Sequence, residues 1–150
     1  MPPLVRRYLR TAIAFLAVGL ALGGWMLMAR EFGLTLPARA TSVHTHVLLV
    51  GFVMMMICGV AFWMFPRPQR EDATYKPARA EWAYWCLTLG TATRAVLELL
   101  AGTESRMVVR VLIVAAGLAQ VVGLLLFFST MLPRIRSTRP SGDGSAAAPQ

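Results

Sequence analysis

Three stretches without a formal charge constrain this chain more than any other feature. They run from Thr11 to Ala29, from Ala40 to Pro66 and from Val111 to Pro133, and cover 19, 27 and 23 residues. A helix rises about 1.5 Å per residue, so roughly 20 residues cross the hydrocarbon core of a bilayer. A fourth stretch, Trp82 to Ala101, is equally apolar apart from Arg94 and Glu98. The expected fold is therefore all-α, a four-transmembrane-helix bundle with helices at about 9–29, 43–65, 82–101 and 107–132. These form a membrane domain over residues 1–136, and the Ser/Gly/Pro/Ala-rich residues 137–150 read as a disordered tail. The chain is 57% hydrophobic and 15% charged, against about 25% charged in soluble domains. A soluble nucleic-acid-binding module is excluded on that ground, although the net charge is +8.

Much of that positive charge reads as topology. Arg6, Arg7 and Arg10 precede the first span. Arg67, Arg70, Lys76 and Arg79 separate the second from the third, and Arg134, Arg136 and Arg139 follow the fourth. Ten basic residues thus fall on one side, against Arg30, Arg39, Arg106 and Arg110 on the other. The positive-inside rule places both termini in the cytoplasm, as expected of a multi-pass protein of a bacterial-type inner membrane. The first run is long for the core of a signal peptide and has no clean cleavage site before Arg30, so it reads as a retained span. Pro66 and Pro68 should end the second helix sharply.

His44 and His46 are the two histidines, both at the outer end of the second helix. Residues two apart point about 200° apart around a helix, so the rings cannot share one metal. Both could simply be interfacial side chains bonded to water. Arg94 and Glu98 stand one turn apart and can pair with each other, or Arg94 can face an anionic ligand group. With Arg106 and Arg110 they lie in the same outer region as His44. One imidazole for iron and several cations for two propionates is what a haem requires. Met26, Met28 and Met107 lie near the depth of His44 and could supply an axial thioether, although methionines in spans usually pack. Cys58 and Cys86 carry no metal spacing and read as small buried hydrophobes. Trp63, Trp82 and Trp85 fit an interfacial aromatic belt.

The segment from His44 through Thr45, His46, the apolar run and Phe65 to Pro66-Arg67 resembles the second helix of haem-copper oxidase subunit I. The likeness is nearest to C-type oxidases, nitric oxide reductases and the short four-helix proteins grouped with them. The resemblance gives His44 the position that ligates the low-spin haem, while His46 falls at a variable position. It implies a haem-ligand end on the outer side, which agrees with the charge count. The second low-spin ligand comes from a later helix in that family, and the haem-copper centre needs further histidines. An oxygen- or nitric-oxide-reducing centre is thus not expected of this chain alone.

The expectation is a membrane protein binding b-type haem through His44, with Arg94, Arg106 and Arg110 near the propionates, for electron transfer or binding of a diatomic gas. The sixth ligand would be a second copy of His44 in a homodimer, Met26, Met28, Met107, a partner subunit, or absent. Gly19-xxx-Gly23 and Ala115-xxx-Ala119-xxx-Gly123 offer close-packing faces for a second copy. Two other readings stay open: a cofactor-free accessory or assembly subunit of a respiratory membrane complex, and a quinone site at His44 or His46 beside Arg94.

Overall fold

The computed structural model describes residues 2–65, 77–101 and 106–136. The expected tail at 137–150, the helix stop at Pro66 and Pro68, and Arg67, Arg70, Lys76 and Arg139 lie outside them. The described residues form four helices and no strand: α1 (Pro3–Glu31), α2 (Ala40–Met64), α3 (Pro77–Leu100) and α4 (Met107–Arg136). Pro3 stands in the first turn of α1, where its missing N–H costs nothing. The helix begins there, before the uncharged run, because Val5 and Tyr8 face inward while Arg6 and Arg7 face out. It stops at Gly33, whose φ of +65° suits glycine. Leu34 N–H then bonds back to Ala29 O at 2.8 Å, closing a Schellman-type cap.

Three of these helices, α1, α2 and the Met107–Leu132 part of α4, are long and apolar enough to cross a membrane. The fourth expected span, α3, falls short on composition, and the reason lies in its packing. The buried positions of α3 and α4 advance by alternating threes and fours, as along Ile113, Ala116, Gln120, Gly123 and Phe127. That is the seam of a left-handed helix pair. The two backbones approach closely: a Cβ at Gly90 would stand 2.9 Å from Ala116 O, and one at Gly123 2.9 Å from Leu87 Cγ. Into this seam α3 places Thr91 and Glu98, and Gln120 of α4 donates from Nε2 to Thr91 Oγ1 at 3.0 Å. Thr91 and Glu98, two of the polar residues that lower the hydropathy of α3, are therefore turned toward protein. Large apolar side chains such as Leu20, Leu49, Leu89 and Leu125 stay exposed on all four helices, as lipid contact requires.

The second helix is not uniformly α-helical. Val47–Met54 is a π-helix between α-helical ends. The buried row of α2 explains it. Val43, Val47, Gly51, Met55 and Gly59 advance by four residues at every step. Repeated steps of four drift one way around a 3.6-residue turn and the other way around the wider π turn, so a π segment between α-helical ends brings the row back toward one face. Phe15 of α1 lies against Gly51, where a Cβ would come within 2.6 Å of its ring.

The core concentrates at the end of the bundle where Tyr8 lies. Tyr8, Phe62, Tyr84 and Phe127 meet with ring centroids 5.2–5.6 Å apart, and Arg134 stands over Phe62 at 5.2 Å. Tyr8 OH donates to Ala80 O at 3.2 Å, and Thr11 Oγ1 shares a 2.9 Å hydrogen bond with Tyr84 OH. Arg134, expected as a charge anchor beyond the last span, is instead buried. Phe62 joins three helices, so Phe62→Ala is expected to destabilise the protein by about 3 kcal/mol, read as earlier thermal unfolding in detergent.

Candidate functional site

At the other end of the bundle, His44 is held against α1. Its Nδ1 lies 3.0 Å from Gly19 O. A carbonyl only accepts, so Nδ1 carries the hydrogen, and the neutral ring keeps its lone pair on Nε2. That is the tautomer of a metal-ligating histidine, whose other nitrogen donates to a backbone carbonyl or carboxylate. Gly19 O also accepts within its own helix, and a carbonyl has two lone pairs for both partners. The imidazole fits because position 23 has no side chain: a Cβ there would stand 2.9 Å from His44 Cε1 and 3.5 Å from Nδ1. Leu48, one turn on, occupies the matching space over Gly19.

This corrects one expectation. The Gly19-xxx-Gly23 spacing does mark a close-packing face, but His44 and Leu48 of the same chain fill it, so it is not open to a second copy. In the other stripe Gly123 packs on α3, while Ala115 is exposed. Gly23→Val should displace the ring and loosen any ligand held through Nε2. We expect weaker ligand retention with unchanged helix content, measured by absorbance and circular dichroism.

His46 takes a separate partner. Its Nδ1–H donates to Ser42 O of its own helix at 2.9 Å, so the two histidines are not joined in one centre. Arg94 donates from Nε to Glu98 Oε1 at 2.8 Å, and its guanidinium lies beside Gly117 of α4. Glu98 is 4% exposed, and its Oε2 has no hydrogen-bond partner among the described residues. Arg106 and Arg110 are exposed at the start of α4. Met26 is half-buried, whereas Met28 and Met107 are exposed. Cys58 is a buried free thiol, and Cys86 is a half-buried one.

Tyr8 meets Ala80 and Thr11 meets Tyr84, offsets of 72 and 73 residues. Carried along α1 and α3, that register sets Gly19 and Gly23 about level with Ala92 and Val96. His44 and Arg94 therefore share a depth, as the sequence suggested. Their partners differ: His44 turns to α1 and Arg94 to the α3–α4 seam. Among the described residues, no three of His, Cys, Asp and Glu come together as a metal cage. A single imidazole with a free Nε2 lone pair is the kind of donor a macrocycle-borne iron takes.

The model of one protein family, described as Cytochrome C and Quinol oxidase polypeptide I, matches residues 3–143. The chain belongs to that family. The match runs well past the second helix on which the sequence resemblance rested, through all four described helices. With three apolar helices, family membership makes this a multi-pass membrane protein related to haem-copper oxidase subunit I. No curated protein and no solved structure matches the chain. Sequence reasoning missed the Thr91–Gln120 bond, because uncharged polar residues inside apolar runs leave no mark on a charge map. It also missed the carbonyl of Gly19, since a backbone acceptor has no residue type to signal it.

Proposed function

We propose that this chain is a b-type haem-binding membrane protein, with His44 Nε2 as the protein's iron ligand. The reading rests on one observation above all: the Nδ1–H bond to Gly19 O, in the space left by Gly23, fixes the ring in the ligating tautomer. The sequence resemblance of the second helix implies the low-spin ligand position for the same residue. Such a haem supplies one-electron transfer when both axial positions are filled, or gas binding when one stays open.

The protein's own part is orientation and charge. Gly19 and Gly23 hold the imidazole against α1. Arg94, at the same depth, and Arg106 and Arg110, at the same end of the bundle, supply cations for two propionates. All four helices span the membrane in this reading, with α3 carried by the α3–α4 seam. Both termini lie in the cytoplasm of a bacterial-type inner membrane, as the basic residues favour. A second copy of the chain in a homodimer would offer its own His44 as a further ligand, since a two-fold axis supplies identical residues. The occupied Gly19-xxx-Gly23 face requires that contact to form elsewhere.

The test is a reduced-minus-oxidised absorbance spectrum of the purified full chain, with and without carbon monoxide. A Soret band with b-type features supports the proposal, and a band unmoved by carbon monoxide supports two axial ligands. A colourless protein that co-purifies with larger membrane proteins would overturn it in favour of an accessory subunit.

A further inference from the structure

Away from His44, at the Tyr8 end of the bundle, one face of α3 forms a cavity of about 280 Å³ lined by Ala78, Glu81, Trp82 and Trp85. These positions follow the i, i+3, i+4, i+7 spacing of a single helix face. Ala78 is the small side chain in that lining, beside Glu81 and the two indoles. We propose that this cavity binds the headgroup of a zwitterionic, ammonium-bearing phospholipid from the surrounding bilayer. The proposal does not depend on the haem reading.

Three observations carry it. The cavity joins a carboxylate to two indole side chains, the combination that attracts an organic ammonium through charge and cation–π contact. Glu81 also holds an opposite charge in place. Arg7 Nη2 donates to Glu81 Oε1 at 2.9 Å, and both side chains are about half exposed. The pair thus presents both poles of a zwitterionic headgroup, Glu81 toward ammonium and Arg7 toward phosphate. An anionic headgroup without an amine would meet Glu81 unfavourably.

Below the cavity, Trp85, Leu89, Val96 and Leu100 continue the same face of α3 at helical spacing, and all are exposed. An acyl chain lying along them gives this site a lipid as its occupant and not a free amine. The arrangement is more specific than an aromatic belt, in which indoles sit at the interface without a shared carboxylate.

The full chain is reconstituted in equimolar phosphatidylethanolamine and phosphatidylglycerol, released, and examined by native mass spectrometry for retained lipid. Wild type should retain phosphatidylethanolamine several-fold over phosphatidylglycerol. Ala78→Leu fills the cavity and Glu81→Gln removes the anion. Each should abolish the preference while leaving circular dichroism unchanged, because both positions are exposed. Equal retention of the two lipids by wild type would overturn the proposal. So would a preference that survives both substitutions.

Discussion

Purified His44→Ala protein should lack the Soret band while keeping its helices. The imidazole is half-buried and makes one hydrogen bond, Nδ1 to Gly19 O, so its removal costs the fold only about 1 kcal/mol. Gly19 O keeps its intrahelical partner, and no buried charge is stranded. Iron, by contrast, loses its only protein ligand from this chain in the proposed reading, and retention should fall to background. His46→Ala serves as the matched control. That ring is tied to Ser42 of its own helix and should leave the band intact. Free imidazole added to His44→Ala should restore part of the absorbance, since the space beside Gly23 remains. An unchanged spectrum in His44→Ala would sink the assignment, and loss of colour in both variants would point to a general structural effect.

How much of this could be read from the residues depends on which physical signal each part leaves. Apolar length shows α1, α2 and α4 directly. It cannot show where helices begin, because Val5 and Tyr8 are buried on either side of exposed Arg6 and Arg7 and Pro77 opens α3 beyond its apolar run. Charge spacing made the Arg94–Glu98 pair legible, and it forms. The small-residue spacing at Gly19 and Gly23 was legible as a packing face, but its partner was not. A glycine pair signals room and does not say which side chain fills it. The π segment was hidden for a related reason: Val47–Met54 is apolar on every side, so no polar boundary reveals the four-residue step of its buried row. In the site, residue type and helix end placed His44 and Arg94 at one depth. Their different partners, Gly19 for His44 and Glu98 for Arg94, depend on how α1, α2, α3 and α4 are arranged around each other, which a linear pattern does not encode.

Arg94→Leu should be the most damaging single change in the α3–α4 seam. Glu98 is buried, and among the described residues Arg94 is the one hydrogen-bond donor to its carboxylate and Oε2 is without a partner. Removing the guanidinium leaves a stranded acidic group at membrane depth. Breaking a buried pair from one side typically costs about 3–5 kcal/mol. Replacing both members avoids that penalty, so Arg94→Leu/Glu98→Leu should recover most or all of the loss, and buried pairs exchanged for apolar residues sometimes gain stability. Thermal unfolding in detergent reads both outcomes. The double variant then separates two roles for Arg94. If the arginine serves only Glu98, the stable double variant holds haem as wild type does. If its cation also faces a propionate, the double variant folds normally yet releases haem more readily, seen as faster transfer to an apo-globin acceptor. The second result is the one expected from the shared depth of His44 and Arg94, because Glu98 engages the guanidinium through Nε and leaves its two amino groups to serve another anion.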